Sequence, residues 1–239
     1  MNRLTIMPAS YVEQSELDRV VEAVRRVPEE LFRRYRGARH DQVGTALVDA
    51  VFSIRARYGG VAERLEEFAA LHPEAVNSLE GLSRLPESAL RKVMGNGVTA
   101  GVTKASAVLE TAQAFRSLDI GNAPPLETAS DVRDLVGRQM HVDGRPWVDC
   151  LKEAYTGVHG LGWVTFEYFL MLLGIPGVKA DTMIRRFVAD ALGVKTGQIP
   201  AGKARDLVVA AHGHVAPDLP VDPDLTQFDH GLWLYQRRR

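Results

Sequence analysis

Cysteine is the first thing this chain is short of: it has one, Cys150. A single thiol excludes an internal disulfide framework, a multi-cysteine zinc site and a four-cysteine iron–sulfur cluster. Long apolar runs are missing as well. The longest, 169–173 continued through Gly174 to Val178, is far too short to cross a bilayer. Residues 1–10 lack the extended apolar core of a secretory leader, so a cytoplasmic location is expected. An excess of one charge is absent too, with 29 Lys and Arg against 30 Asp and Glu and a net charge of −1. That balance does not announce a nucleic-acid binder, so any such surface must be a local patch. There is no fixed-period repeat and no low-complexity segment. No two alternating runs flank an Asn-Gly type of turn, so strands should be few.

What is present is a helical pattern over nearly the whole chain. Leu17, Val20, Val21, Val24 and Val27 follow three-to-four spacing, with Glu16, Asp18, Arg19, Glu22, Arg25 and Arg26 on the opposite face. Similar patterns predict helices over 41–57, 61–71, 73–78, 86–94 and 99–119. A Pro-Pro linker at 121–127 separates these from predicted helices at 131–136, capped by Ser130, and at 146–155. Helices at 164–173, 182–192, 201–215 and 225–237 complete the chain. Hydrophobic residues make up 46% and charged residues 25%, an ordinary globular balance that argues against disorder. The fold class is therefore all-α. The expected organisation is a helical bundle over 41–125, a segment over 126–192, and a second helical sub-domain built from 1–40 with 193–239.

The most informative stretch is Val158-His159-Gly160-Leu161-Gly162-Trp163-Val164-Thr165, ahead of Ala180-Asp181-Thr182. Two glycines two apart allow a tight turn and a close backbone approach, because neither carries a Cβ. Where such a turn feeds a helix, its free N–H groups can hold a phosphate oxygen. Asp181 follows Gly162 by nineteen positions, about one helix and one loop further on. Before Thr182 and the apolar Ile184, Phe187, Val188 and Ala191, it also reads as an ordinary N-cap. The two roles are compatible, since an N-cap carboxylate is stabilised by the helix dipole.

These residues resemble the helix-hairpin-helix and Gly/Pro-Asp signature of the endonuclease III-like DNA glycosylases. The family hairpin reads Leu-Pro-Gly-(Val/Ile)-Gly-x-x-Thr-Ala. This chain keeps Gly160, apolar Leu161, Gly162 and Thr165, and has Val158-His159 and Phe166 where the family has Leu-Pro and Ala. The second element, Pro-x-x-(Val/Ala)-Asp-Thr-x-x-x-Arg, resembles the stretch from Pro176 through Asp181-Thr182 to Arg186. Lys104-Ala105 resembles a helix start, the 47–57 helix a core helix, and Asp229-His230-Gly231-Leu232-Trp233 the closing helix of these proteins.

The resemblance implies two packed helical sub-domains and a partner, double-stranded DNA with a damaged or modified base. Gly160, Gly162, Thr165 and His159 would contact its backbone, joined by Lys104 and Arg55 on segments that resemble DNA-facing parts of the family. The nucleotide would be extruded, and Asp181 would stabilise the oxocarbenium-like sugar as the N-glycosidic bond breaks. Trp163, Phe52, Trp147 and Tyr155 are candidate walls of a base pocket, and Tyr58, Phe166 and Tyr168 are further aromatics nearby in sequence. An aromatic at helical spacing is more often core than cage. Arg34, Arg36 and Arg57 lie in basic clusters that are equally consistent with a solvated face.

Val164 stands where bifunctional members carry a Schiff-base lysine, and valine cannot be a nucleophile. The resemblance therefore implies a monofunctional glycosylase that uses water and leaves an abasic site, without AP-lyase activity. It implies no cofactor and no side-chain metal site, only a monovalent cation held by hairpin carbonyls when DNA is bound. Two other classes stay open. One is a non-catalytic helix-hairpin-helix DNA-binding protein, and the other is a helical protein with no nucleic-acid role.

Overall fold

The structure, a computed structural model, describes residues 12–33, 35, 37–56, 60–119, 125–137, 141–142 and 145–239. Arg34, Arg36, Arg57, Tyr58 and residues 121–124 of the Pro-Pro linker lie outside the described residues. Among those described, the chain is mostly helical, with only two pairs of two-residue antiparallel strands. The order is α1 (Gln14–Val24), α2 (Val43–Phe52), α3 (Gly60–Leu71), α4 (Pro73–Val76), α5 (Leu79–Ser83) and α6 (Glu87–Met94). Strands β1 (Val98–Thr99) and β2 (Val102–Thr103) then lead into α7 (Lys104–Arg116) and α8 (Ala129–Gly137). Strands β3 (His141–Val142) and β4 (Arg145–Pro146) precede α9 (Trp147–Gly157) and α10 (Trp163–Leu172). The chain ends with α11 (Thr182–Leu192), α12 (Ala201–Val215) and α13 (Leu225–Arg237).

Two compact units emerge: Met1–Gly37 with Pro176–Arg239, and Ala38–Ile175. The expected 126–192 segment is divided between them, so the hairpin belongs to one unit and Asp181 to the other. The physical reason lies in α11. Its stripe of Ile184, Phe187, Val188 and Leu192 is buried, and the helix packs against α1, α12 and α13.

In the Ala38–Ile175 unit, α2 is the central helix. All ten of its residues are buried, including Thr45 and Asp49, and it packs against α3, α7 and α10. Gly44 is needed for close approach, because a Cβ there would lie 1.9 Å from the Ala75 carbonyl oxygen of α4. Asp49 accepts from Ser53 Oγ at 2.9 Å and Arg39 Nε at 3.4 Å, which pairs a charge that burial would otherwise penalise. Phe115, Tyr155, Phe166 and Phe169 form a continuous aromatic cluster, with ring centroids 5.5–6.2 Å apart. Glu127 ties the entry to α8 back to α5, accepting from Ser78 Oγ and from the Glu80 amide at 3.1 Å.

In the other unit, α1 buries Leu17, Val20, Val21 and Val24 and packs against α11 and α12. Phe32 stacks on Phe228 of α13 at 5.3 Å, over Gly231, where a Cβ would meet the Phe32 ring at 2.4 Å. Arg19 donates to the Leu192 carbonyl at 2.9 Å and so closes the C-terminal end of α11.

Two local readings change. Residues 99–103, expected as the start of a helix, form the β1–β2 ribbon in the register Val98↔Thr103 and Thr99↔Val102. Its two-residue turn holds Ala100 at φ +47° and Gly101 at φ +88°, the positive pair that a type I′ hairpin turn requires. Helix α7 therefore starts at Lys104, capped by Thr103 Oγ1 accepting from the Ser106 amide at 3.0 Å. Helix α8 starts at Ala129, before Ser130. Its opening is organised by Asp131, which accepts from the amides of Glu127 at 3.1 Å and Thr128 at 2.7 Å.

Candidate nucleic-acid interface

The 158–165 stretch is a tight connection between α9 and α10, anchored by the buried Val158 and Leu161. Gly160 adopts φ +85°, and a Cβ there would lie 2.9 Å from both Thr99 Cγ2 and Thr99 O. Gly162, the residue before α10, has φ −137° and nothing within 4 Å of a Cβ, so the second glycine is not demanded by strain. The Thr165 hydroxyl donates to the Gly162 carbonyl at 2.7 Å, and the amides of Thr165 and Phe166 donate to the same oxygen at 3.1 Å. Among the described residues, the amides of His159, Gly160, Trp163 and Val164 have no acceptor. Such a group of unused N–H donors at the start of a helix suits an anion.

The β1–β2 ribbon fixes this hairpin from the side. Thr99 Oγ1 donates to the Gly160 carbonyl at 2.9 Å, and His159 Nε2 meets the Ala100 carbonyl at 2.9 Å. The second contact requires the proton on Nε2. His159 itself is exposed. The sequence gives no warning of these contacts, because the ribbon and the hairpin lie about sixty positions apart.

Lys104 does not sit where a phosphate could reach it freely. It is 7% exposed, and its ammonium donates to the carbonyls of Phe52 at 3.1 Å and Ile54 at 2.6 Å. Burial pushes its pKa below the usual 10.5. The expectation of a direct backbone contact is corrected: Lys104 closes the C-terminal end of α2, where free carbonyls and the helix dipole favour a cation. Arg55, by contrast, is exposed and has left-handed backbone at φ +52°.

The base-pocket candidates separate. Trp147 is 2% exposed, Phe52 4% and Tyr155 0%, so all three are core residues and present no open face to a base. Tyr155 belongs to the aromatic cluster with Phe115, Phe166 and Phe169. Burial raises its hydroxyl pKa well above the usual 10, opposed by the nearby Thr165 side chain, to which it makes no hydrogen bond of normal geometry. Trp163 is half-buried and is the one candidate with accessible surface.

Asp181 caps α11. Its Oδ1 accepts from the amides of Met183 at 2.8 Å and Ile184 at 3.3 Å, while among the described residues no donor bonds to Oδ2. Two successive i→i−2 bonds, Ala180 to Val178 and Asp181 to Lys179, kink the approach to the helix. The cap reading is thus met in full, and one carboxylate oxygen is left over. A groove of about 520 Å³ on the same unit runs beside Asp18, Glu22, Phe187 and Tyr235 and does not include Asp181. Among the described residues no cluster of three or more His, Cys, Asp or Glu is placed to hold a metal ion, and no helix is long and apolar enough to cross a membrane.

The family described as a domain of unknown function (DUF8548) matches residues 15–237. The chain belongs to this family. No curated protein and no solved structure matches it. The DUF8548 match spans both compact units.

Proposed function

We propose that this DUF8548 protein is a monofunctional DNA glycosylase that hydrolyses the N-glycosidic bond of a damaged, mismatched or modified base. The observation that carries the reading is the hairpin, where four unused amides flank Gly160 and Gly162 and the ribbon fixes the loop at two points. Donors fixed before the ligand arrives lose little freedom on binding a phosphate. The packing of its helices is, on this reading, of the helix-hairpin-helix glycosylase type.

In the chemistry, the bond between C1′ and the base nitrogen breaks and its electron pair leaves with the base. The sugar becomes oxocarbenium-like, and the Asp181 carboxylate stabilises that charge through its free oxygen. Water adds to C1′, its proton passes to the carboxylate and then to the departing base, and an abasic site remains. Val164 leaves no amine in the hairpin for a Schiff base, so the strand stays intact. The hairpin oxygens are uncharged carbonyls, and those of His159 and Leu161 accept no hydrogen bond among the described residues. That chemistry fits a monovalent cation, which would add positive charge beside a phosphate.

The test is a duplex panel carrying varied lesions and mismatches, with abasic sites revealed by alkaline strand cleavage. Wild-type protein should produce them on at least one duplex. Asp181→Asn should reduce the rate by about a hundredfold or more while leaving DNA affinity nearly unchanged. A second reading, a non-catalytic DNA-binding protein, draws support from the burial of Phe52, Trp147 and Tyr155, which removes three expected pocket walls. DNA binding with no abasic product across the panel would decide for it. No binding even at low salt would end both.

A further inference from the structure

Lys104 and Arg55 are linked by one peptide plane. The Ile54 carbonyl, 2.6 Å from Lys104 Nζ, belongs to the peptide that joins Ile54 to Arg55. The orientation of that plane helps set φ of Arg55, which is +52°, a conformation few residues other than glycine adopt. Left-handed backbone at such a residue persists only where its surroundings hold it. Here the holding group is an ammonium that also takes the Phe52 carbonyl and lies 5.9 Å from the Phe52 ring centroid. Arg55 gains nothing inside the protein from this conformation, since its exposed guanidinium has no hydrogen-bond or ion-pair partner among the described residues.

The same lysine is wired to the hairpin. Its amide donates to the Gly97 carbonyl at 2.8 Å, and its stem lies against Gly97, where a Cβ would meet Lys104 Cδ at 3.1 Å. From there the β1–β2 ribbon reaches Gly160 and His159 through Thr99 and Ala100. Hydrogen bonds and the backbone of the ribbon thus connect the Arg55 turn to the Gly160 carbonyl and the His159 ring within one unit.

We infer that Lys104 is a positioning residue whose ammonium, without touching DNA, sets Arg55 to contact a backbone phosphate of the strand that the hairpin holds. This rests on the DNA-binding reading of the hairpin. It differs from a direct phosphate contact by Lys104, which would act independently of Arg55. It differs also from a purely structural lysine, whose loss would lower stability without altering the number of phosphates engaged.

The experiment is a double-mutant cycle on the full chain, with affinity for one fluorescent duplex measured across a series of KCl concentrations. Each lost phosphate contact reduces the slope of log K against log salt by about one. Arg55→Gln should do so. Lys104→Met should reduce the slope by the same amount, Lys104→Arg should restore it, and the double variant should lose no more than either single one. An unchanged slope in Lys104→Met, or losses that add in the double variant, overturns the inference while leaving the hairpin reading intact. If Lys104→Met does not fold by circular dichroism, Lys104→Gln replaces it under the same criteria. A wild-type protein with no salt-dependent DNA binding would overturn the hairpin reading and this inference together.

Discussion

Gly160 is confined to glycine by two constraints at once, a positive φ and a neighbouring threonine that fills the place of a Cβ. Gly162 has neither, although the pair looks symmetrical in sequence. Gly160→Ala should therefore destabilise the protein by about 1–3 kcal/mol, because the loop must shift away from Thr99. Gly162→Ala should cost about 1 kcal/mol or less, the difference between a glycine and an alanine N-cap. Thermal melts of the two variants compare these directly. Equal losses would mean that the hairpin is not held by the contact at Thr99. Asp181 and Lys104 show the same separation of appearance from role. One looks like a cap and is a cap with an oxygen to spare, while the other looks like a phosphate ligand and is buried against carbonyls.

At the scale of elements, helices were legible wherever an apolar stripe recurred at three-to-four spacing over three turns. The bounds read for α11, α12 and α13 coincide with those observed, because Asp181, Pro200 and Asp224 mark their starts unambiguously. The ribbon was not legible. Val-Thr-Ala-Gly-Val-Thr has the alternation of a short hairpin, but it is too brief to stand out beside the helical stripe that follows. Helix α5 was missed because five residues with two apolar anchors show no period. The burial of Phe52, Trp147 and Tyr155 was equally hidden, since an aromatic on a helix face gives no sign of how deep that face will lie. Thr99→Val tests whether the ribbon matters as an element. It keeps the side-chain volume and removes the donor to Gly160, at about 1 kcal/mol. Amide hydrogen exchange should accelerate at Leu161, Thr165 and Phe166, whose amides are bonded within the hairpin, and not in α2. Unchanged protection of the hairpin would show that the ribbon lies beside the loop without fixing it.

For the molecule as a whole, a net charge of −1 means that the overall charge balance exerts little long-range field. Local burial decides the pH response instead, and the clearest case is His230 of α13. Its ring stacks on Trp233 at 5.9 Å and meets the edge of Tyr35 at 5.3 Å. Burial lowers its pKa from the usual 6.5. In the unfolded chain this histidine takes up its proton as the pH falls through about 6.5, whereas in the folded protein it resists doing so until lower pH. The unfolded state therefore binds more protons in that window, and stability falls with falling pH. Above about pH 7.5 both states are neutral at this position and the effect vanishes. His230→Gln removes the titration while keeping a planar polar side chain. Acidification from pH 7.5 to 5.5 should lower the melting temperature of the wild-type protein more than that of the variant. Hydrogen exchange should place the difference in α11 and α13, which pack together, and leave α2 unaffected. If the two proteins lose stability in parallel, the stacked ring in α13 is not the source of the acid response.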